Sequence, residues 1–478
     1  MKIIGLTTLF ALLITLTSIA QIGKPFIHDP STIVECEGKY YTFGTGGGGL
    51  ISEDGWRWNG GAVRPGGGAA PDAIKIGDRY LVIYGATGGG GGHKGAILTM
   101  WNKTLDPKSP DFKYSEPVIV ATSDGYEDCD AIDPGFMLDP TTGRLWLSYG
   151  TYFGFARIVE LDPKTGKRVE GNKPVDVAIV CEATDLIYHD GWYYLLATHG
   201  TCCDGPNSTY NIVVGRSKNV TGPYIDNVGR SMLEGGGKMV ATTSGNLIGP
   251  GHFGRMIIAD GIEKMSCHYE ADLDQGGRSV LGIRPLVWKN GWPVAGDNVK
   301  DGTYEIQSER RGYGLELAVD FSRMAGAARG FGGGNNNEPI KPVPPQQLAD
   351  VIKTWPTGNI DVRINDYVAR PNQKWTITAA PDSSGYLGAP YYKIVIAGTE
   401  RALAVTANAE VITVPAFTGT PEQLWKIDQL TDGTYRIMPK SVSNSKEQLA
   451  LVSSGDSTPA LAKFDVNSDN CKWNFKAQ

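Results

Sequence analysis

The run Gly191-Trp192-Tyr193-Tyr194-Leu195-Leu196-Ala197 places a short aromatic and aliphatic segment directly after a turn residue. Such runs are typical of buried β-strands bounded by turns. Similar runs begin at Gly38, Gly77, Gly143 and, with a weaker pattern, Lys264. Their spacing of roughly 40 to 75 residues is typical of the four-stranded blades of a propeller. The repeat therefore predicts a five-bladed β-propeller.

An acidic residue or a histidine stands shortly before each of these runs: Asp29, Asp72, Asp133, Glu182 and His252. Because the first strand of each propeller blade lines the central channel, we expect these side chains to converge at one end of it. Asp72 alone is better explained as a turn residue, since Asp is common in turns. Three carboxylates from three different blades remain as candidates for chemistry.

The pattern of the chain changes near residue 298. The stretch Asp301-Gly302-Thr303-Tyr304 recurs as Asp432-Gly433-Thr434-Tyr435, and 388–394 is a looser copy. Each copy is followed by a tryptophan, and these tryptophans are Trp375, Trp425 and Trp473. The first two lie in a Gln-x-Trp motif, and the third copy lacks the Gln. Three such repeats predict a ricin-type β-trefoil.

The first trefoil repeat contains an insertion near 324–345. Glycine, asparagine and proline dominate this segment, so it is interpreted as a flexible loop. The predicted organisation is therefore a propeller over residues 21–297 and a trefoil over residues 298–478. About 458 residues exceed what one ordinary hydrophobic core accommodates, which agrees with two domains.

The first 20 residues predict a secretory signal peptide. Lys2 supplies the positive end, an apolar stretch covers residues 3–19, and Ser18 and Ala20 are the small residues before a cut at Gln21. The apolar stretch is short for a membrane span. We therefore expect a mature chain that is exported, either periplasmic or secreted, without a membrane span.

Composition supports an all-β class and excludes some partners. The chain has 63 glycines, 41% hydrophobic and 20% charged residues, and a net charge of −6. Glycine is more frequent than the average of about 7%, which favours turns and short strands. Nucleic-acid binding depends on clustered Lys and Arg. The chain shows no basic cluster, so no nucleic-acid partner is expected.

Seven cysteines leave at least one unpaired. No CxxC pair occurs, so a structural zinc site is not expected. Most of these cysteines are interpreted as small buried hydrophobic residues. The adjacent Cys202 and Cys203 form either a vicinal disulfide or two thiols, and both alternatives stay open.

The order of these motifs resembles glycoside hydrolase family 43, and within it the arabinan-degrading enzymes. His28-Asp29-Pro30-Ser31 resembles the motif of the family's general base. Ala131-Ile132-Asp133-Pro134 resembles the motif of the aspartate that tunes the acid, and Glu182 resembles the general acid. Longer stretches that resemble the arabinanase branch are 103–111, 202–210, 214–217, 249–252 and 284–288. The trefoil resembles family 13 carbohydrate-binding modules.

The resemblance implies hydrolysis of a glycosidic bond with inversion. Asp29 would stay ionised and activate water, while Glu182 would donate a proton to the leaving oxygen. Inverting enzymes hold these two carboxyls about 6.5–9.5 Å apart. Asp133 would raise the pKa of Glu182 through like-charge repulsion. The alternative for Glu182, a surface acidic pair with Asp185, is disfavoured by the apolar residues before it.

The resemblance also implies a metal at His252, usually calcium, in the channel. One histidine is a poor calcium site by itself because calcium prefers several oxygens, so waters would complete the shell. The alternative is a His252 that hydrogen-bonds a catalytic carboxylate. No organic cofactor is expected.

Four further residues are expected to contact substrate. Tyr152 and Phe153 stand where the resemblance places aromatic side chains that stack on sugar, and inter-blade packing is the equal alternative. His199 lies just before the cysteine pair, in a segment where the family usually has aromatics. Arg284 would bind a sugar hydroxyl or Glu182, or else form an ordinary inter-blade salt bridge.

The favoured function is an exported enzyme that degrades arabinan, with endo or exo action left open. Alternatives on the same scaffold are an exo-acting α-L-arabinofuranosidase, a β-xylosidase or a galactofuranosidase. An alternative of another class is a non-catalytic carbohydrate-binding protein, which the three intact carboxylates disfavour. The expected partner is a polysaccharide or oligosaccharide, and the expected oligomeric state is a monomer.

Overall fold

A computed structural model describes residues 21–87, 95–123, 130–319, 349, 352–380, 384–455 and 457–478. The predicted signal peptide, Cys129 and the predicted loop at 324–345 lie outside these residues. Within them, no helix is long and apolar enough to cross a membrane.

Five antiparallel sheets follow one another along the first part of the chain, and they are the predicted propeller blades. Blade one contains β1 Ile22–Gly23, β2 Val34–Cys36, β3 Lys39–Phe43, β4 Gly48–Ser52 and β5 Arg57–Val63. Blade two contains β6 Ala69–Ile76, β7 Arg79–Thr87, β8 Ala96–Asn102 and β9 Val118–Thr122. Blade three contains β10 Gly135–Leu138, β11 Leu145–Tyr149, β12 Ala156–Leu161 and β13 Val175–Ala178.

The last two blades are built in the same way. Blade four contains β14 Glu182–His189, β15 Trp192–His199, β16 Asn211–Ser217 and β17 Lys238–Ala241. Blade five contains β18 Leu247–Ala259, β19 Ile262–Asp272, β20 Arg278–Lys289 and β21 Trp292–Ala295. The N-terminal segment links blade one to blade five, because β1 pairs with β5 while the backbone N–H of Leu281 donates to Pro25 O at 2.8 Å.

Each predicted apolar run forms the second strand of its blade, namely β3, β7, β11, β15 and β19. A second strand has a hydrogen-bonded neighbour on both sides, and all residues of β11 and β19 are buried. The sequence of a strand in this position is a continuous apolar run rather than an alternation of apolar and polar residues. This is why the repeat was visible in the sequence.

The trefoil strands begin at Gly302, after the last propeller strand ends at Ala295. They are β22 Gly302–Ser308, β23 Gly314–Leu317, β24 Ile360–Asn365, β25 Trp375–Ala379, β26 Gly385–Tyr386, β27 Ala389–Pro390 and β28 Tyr392–Ile396. The remainder are β29 Ala402–Val405, β30 Val411–Val414, β31 Trp425–Gln429, β32 Tyr435–Pro439, β33 Ala450–Ser454, β34 Thr458–Ala462 and β35 Trp473–Ala477.

The three predicted tryptophans occupy equivalent positions in the trefoil core. Each indole is fully buried and donates its Nε1–H to a leucine carbonyl, at 2.7, 3.0 and 2.8 Å. The leucine precedes its tryptophan by 60 residues in the first repeat and by 22 in the other two. The longer interval contains the predicted insertion, so the trefoil prediction is confirmed.

Short 3-10 helices precede the tryptophans and fill connections in the propeller. The trefoil ones are Pro371–Gln373, Pro421–Gln423 and Asp469–Cys471, and those of the propeller are Gly205–Asn207, Met232–Glu234 and Leu273–Gln275. The Gln373 and Gln423 side chains accept backbone N–H groups of the loops before their helices. Cys471 replaces this glutamine in the third repeat and is buried.

The trefoil packs against blades one and five through a buried charged cluster. Lys264, at the start of β19, lies 3.6 Å from the Asp428 carboxylate and also donates to the Leu387 carbonyl. Arg436 donates to the same carboxylate at 2.6 Å, and the Gly388 N–H donates to Gly55 O at 3.0 Å. These contacts involve the start of β19 and the turn between β4 and β5, away from the starts of the inner strands.

Candidate active site

Each blade has a residue with a left-handed backbone in its inner strand or a few residues before it. The five residues are Asp29, Ala70, Asp133, Ala183 and His252, with φ between 46° and 57°. Positive φ is uncommon outside glycine and concentrates at functional sites. The pairing register also shifts at the starts of β6 and β14 and, within β18, between Gly251 and Gly254 on either side of His252. Such irregularities re-aim side chains, which explains how separate motifs present groups at one end of the channel.

Asp29 is a buried carboxylate held by histidines. Its Oδ1 lies 2.8 Å from His28 Nδ1 and 3.2 Å from His252 Nδ1. Thr45 donates its hydroxyl to Oδ2, and the Asp29 backbone N–H donates to His268 Nδ1 at 3.2 Å. Burial alone would raise the pKa of Asp29, but His252, His28 and His268 outweigh it and hold that pKa well below its usual range. This carboxyl is therefore ionised.

Glu182 and Asp133 are neighbours, and the pKa of each is shifted in the direction opposite to that of Asp29. Asp133 accepts a hydrogen bond from the backbone N–H of Ala183, the residue after Glu182. Burial raises the pKa of Asp133, and the charges of Glu182 and Asp29 raise it further. Burial also raises the pKa of Glu182; Tyr210, which donates its hydroxyl to Glu182 Oε1, opposes that shift. Both carboxyls therefore hold their protons more tightly than usual.

His252 lines a small cavity that is also lined by Pro30, Pro134 and Ala183, which follow the three carboxyl residues in the chain. The cavity measures about 20 Å³ and is lined by residues that include Asp72, Thr184, Asp185 and His252. This volume accommodates one water-sized occupant. Among the described residues, His252 Nε2 and Thr184 Oγ1 are buried without a hydrogen-bond partner. One imidazole nitrogen, a hydroxyl and nearby carboxylates fit a partly hydrated cation that takes oxygen ligands.

A second group of possible ligands surrounds Asp29. His28, Asp29 and His268 bring three ligand atoms within 4.8 Å of one another. Each of these ring nitrogens already has a hydrogen-bonding or ion-pair partner. The cavity beside His252 is therefore the better candidate for an ion.

Asp72 and Asp185 occupy equivalent places, two residues after the left-handed positions of blades two and four. Asp72 accepts the backbone N–H groups of Thr32 at 2.9 Å and of Phe136 at 2.8 Å. Asp72 thereby links blades one, two and three, which is a structural role, but it lies within β6 and not in a turn as the sequence predicted. Asp185 is buried as well, so the surface pair suggested as an alternative for Glu182 does not occur.

Tyr152, Phe153 and His199 gather at the rim of the site. The Tyr152 hydroxyl donates to the Thr198 carbonyl at 3.4 Å, next to His199. Burial raises the pKa of Tyr152, and the charge of Glu182 contributes, so the phenol lies near the predicted acid. Phe153 is 46% exposed and His199 is exposed. These positions are open to a substrate.

Arg284 does not join them. Its guanidinium donates to Asp297 Oδ1 at 2.9 Å and to the carbonyl of Gly296 at 2.8 Å, beside the outer strand of its own blade. The suggested contact with Glu182 is absent from the described residues. The ordinary salt bridge is therefore the arrangement that the structure has, although it lies within blade five rather than between blades.

Several residues of the site were not assigned from the sequence: His28, Thr45, Tyr210, His268 and Glu270. Glu270 Oε1 lies 3.0 Å from His28 Nε2 and 3.2 Å from His268 Nε2. Burial would raise the pKa of Glu270, but the hydrogen bonds from His268 and His28 lower it to about 2. Burial lowers the pKa of His28, yet its bonds to Asp29 and Glu270 prevail and raise that pKa to about 10.

A motif signal existed for some of these residues. His28 and Tyr210 lie inside the stretches that resemble the family, and His268 lies in a repeated apolar run. Glu270 had no such signal. The structure also decides the cysteine alternative: Cys202 and Cys203 form a disulfide, and Cys36, Cys181, Cys267 and Cys471 are buried and free.

A propeller channel that holds one ionised carboxylate beside two carboxyls with raised pKa has the equipment of a glycosidase, which pairs a base with an acid across the scissile bond. The model of glycosyl hydrolases family 43 matches residues 42–293, more than half of the chain, and the chain belongs to that family. It is therefore a glycosidase. A second model, described as ricin-type beta-trefoil lectin domain-like, matches residues 371–462.

Similar proteins include both endo- and exo-acting enzymes by name. The extracellular endo-alpha-(1->5)-L-arabinanase 1 of Bacillus subtilis (strain 168) is 33% identical over 228 residues, covering 47% of this chain and 67% of that protein. The extracellular exo-alpha-(1->5)-L-arabinofuranosidase ArbA of Cellvibrio japonicus (strain Ueda107) is 32% identical over 250 residues, covering 48% and 71%.

A solved structure shares the propeller. The exo-1,5-alpha-L-arabinanase from a bovine ruminal metagenomic library is 32% identical, with a TM-score of 0.52. The match covers 57% of this chain and 97% of that one.

Proposed function

We propose that this glycosidase is an exported, inverting enzyme that cleaves α-L-arabinofuranosidic bonds of arabinan. The observation that carries the proposal is the contrast at one channel mouth between Asp29, whose pKa is held well below its usual range, and Glu182, whose pKa burial raises. The names of the similar proteins support arabinan as the substrate and an extracellular location.

In the proposed reaction, Asp29 accepts a proton from a water molecule as the water oxygen attacks the anomeric carbon. Glu182 donates its proton to the glycosidic oxygen as the bond from that oxygen to the anomeric carbon breaks. Attack from the face opposite the leaving group inverts the anomeric configuration. Asp29 suits the base because histidines keep it ionised, and Glu182 suits the acid because burial keeps it protonated.

Asp133 and Tyr210 have supporting roles in this proposal. Tyr210 occupies Oε1 of Glu182, which leaves Oε2 to carry the transferred proton. Burial raises the pKa of both Asp133 and Glu182, and the charge of Glu182 raises the pKa of Asp133 further, so both carboxyls resist ionisation in the low dielectric of the channel. Asp133 therefore tunes the acid rather than transferring a proton itself.

We also propose that the cavity beside His252 holds a calcium ion completed by waters. When bound, such an ion supplies positive charge close to the catalytic carboxyls. His252, whose pKa burial lowers to about 4, is neutral and can offer Nε2 as a ligand. Tyr152, Phe153 and His199 are proposed to contact the sugar at the rim.

The trefoil is proposed to bind carbohydrate, in keeping with its lectin-like family model. It packs at the far end of blades one and five, so a sugar bound there does not occupy the catalytic channel. Retention of the full chain on immobilised polysaccharide, compared with a chain ending at residue 297, measures this contribution.

The decisive experiment measures sugar release from linear 1,5-arabinan, arabinoxylan and galactan. Fastest release from arabinan, with the β anomer formed first in an NMR time course, supports the proposal. Fastest release from arabinoxylan or galactan replaces the substrate, and the α anomer formed first replaces inversion with retention. No release from any of the three supports the non-catalytic alternative.

A further inference from the structure

Glu270 is a buried carboxylate that the proposed reaction does not use. It lies on β19, and its side chain is 3% exposed. Oε1 contacts His28 Nε2 at 3.0 Å and His268 Nε2 at 3.2 Å, while Oε2 accepts the backbone N–H of Cys203 at 3.1 Å. One carboxylate therefore connects three separate segments of the propeller.

Both imidazoles that contact Glu270 also contact Asp29. His28 Nδ1 lies 2.8 Å from Asp29 Oδ1, and His268 Nδ1 accepts the Asp29 backbone N–H at 3.2 Å. The two rings lie 4.4 Å apart between centroids. Each ring thus bridges Glu270 and Asp29, one to the side chain and one to the backbone.

These contacts determine where the ring protons lie. His268 Nδ1 accepts a hydrogen bond, so its Nε2 carries the proton that it donates to Glu270. His28 faces a carboxylate at each nitrogen, so it donates from both. Glu270 is the only acceptor for these Nε2–H groups among the described residues, and without it both rings lose the partner that fixes their orientation.

We propose that Glu270 is the positioning residue of the general base, holding His28 and His268 so that they fix the Asp29 carboxylate toward its water. The proposal rests on the proposed role of Asp29. Side chains that orient the groups around a catalytic residue typically change activity by about 10–100-fold when they are replaced. The anchored Cys203 N–H keeps Glu270 itself from turning.

Glu270→Gln tests this proposal in the full-length enzyme, on whichever substrate is cleaved fastest. An amide carries no charge and has only one acceptor oxygen. With that oxygen at the place of Oε1, its NH2 group opposes the Cys203 N–H donor, and in the reverse orientation it opposes both Nε2–H donors. We expect kcat to fall about 10–100-fold, by analogy with other orienting side chains, while KM changes less than about twofold. An unchanged kcat overturns the proposal.

A matched control separates positioning from stability. Glu263 is a buried glutamate at the other end of β19, paired with Arg255 at 2.8 Å. Glu263→Gln should lower Tm with kcat of the folded enzyme unchanged. For Glu263→Gln, any loss of total activity should equal the loss of folded protein. If the same holds for Glu270→Gln, Glu270 has only a structural role and the proposal is wrong.

Glu270→Asp provides a second readout, and it carries the test if Glu270→Gln does not fold. The aspartate keeps the charge but is one methylene shorter, so kcat should lie between those of the wild type and Glu270→Gln. A kcat equal to the wild type contradicts the need for this reach. Asp29→Asn distinguishes failure of the proposed function from failure of the proposal for Glu270. Full activity of Asp29→Asn contradicts the proposed function. An inactive Asp29→Asn together with a fully active Glu270→Gln contradicts only the proposal for Glu270.

Discussion

The molecule contains two buried charged clusters that follow opposite rules. At the domain interface, one carboxylate, Asp428, faces the cationic side chains of Lys264, Lys426 and Arg436. Burial alone would raise the pKa of Asp428, but these cations outweigh burial and lower it to about 2. At the channel mouth, burial outweighs the charge of the nearby His28 at both Asp133 and Glu182, and the pKa of each is raised.

The difference shows which cluster serves stability and which serves chemistry. At the interface Asp428 faces cations, so its ionisation favours the folded, docked arrangement. Two neighbouring carboxyls at the mouth cannot both ionise without cost, which leaves a proton available for transfer. Asp29, Asp133 and His252 at the mouth have left-handed backbones, whereas none of the four interface residues does, and such backbone strain is typical of functional sites.

The largest effect should come from the mouth cluster. Glu182→Gln removes the acid proton, and we expect kcat on the best substrate to fall by about 10²–10⁴-fold. Circular dichroism should show a folded protein. The control is Glu160→Gln, a half-exposed pair with Arg144 in blade three, which should keep wild-type kcat. Wild-type turnover by Glu182→Gln contradicts its assignment as the acid.

A substitution in the interface cluster should instead lower the stability of the protein. Asp428→Asn leaves Lys264 and Arg436 buried without their carboxylate, and we expect the free energy of unfolding to fall by about 3–5 kcal/mol. Urea denaturation measures it, and kcat of the folded enzyme should not change. Asp432→Asn, which breaks an exposed pair with Lys472, is the control and should cost at most about 1 kcal/mol. Equal losses from both variants would show that the buried cluster is not special.

Removal of the proposed ion from the cavity beside His252 should lower the stability of the folded protein. An ion at 100 times its dissociation constant adds about 2.7 kcal/mol to folding, so a chelator should lower Tm and added calcium should restore it. His252→Gln should abolish this response because it removes the only imidazole that lines the cavity among the described residues. A wild-type Tm that is insensitive to the chelator argues against the ion.

The contributions of the two clusters to the free energy of unfolding should also change with pH in opposite directions. The raised pKa of Asp133 means that the folded protein binds more protons than the unfolded chain above about pH 4, so this group lowers stability as pH rises. Asp133→Asn should therefore gain free energy of unfolding relative to wild type between pH 4 and pH 8, by about 1 kcal/mol or more. Urea titrations at both values measure the gain.

Asp428 provides the comparison for that measurement. Its pKa is lowered to about 2, so its contribution is complete above about pH 4 and is lost as pH falls from about 4 to 2. The deficit of Asp428→Asn relative to wild type should thus shrink in acid. A deficit that stays constant from pH 5 to pH 2 would exclude this linkage.

Much of the fold could be predicted because its signals are local. A continuous apolar run such as Leu145–Tyr149 is visible within a few residues, and it marks a second strand in every blade. The repeated motifs at Trp375, Trp425 and Trp473 predict the trefoil from local sequence in the same way. The three carboxylates were found because each lies in a short motif next to such a run.

Other parts of the site could not be predicted because they depend on distant contacts. His28 meets Glu270 across 242 positions of the chain, and no local pattern marks Glu270. Arg284 lies in a stretch that resembles the family, yet its own blade supplies Asp297 as its partner. Which of two plausible partners a side chain takes depends on blade packing.

The amino-acid sequence by itself determined the two folds, the family and the three carboxylates, since turn residues, apolar runs and short motifs act over a few positions. Only the tertiary structure decided which carboxyl is ionised. Protonation depends on burial and on charges from other blades, so Asp29 and Glu182 differ through the histidines, tyrosine and carboxyls that folding brings beside each of them.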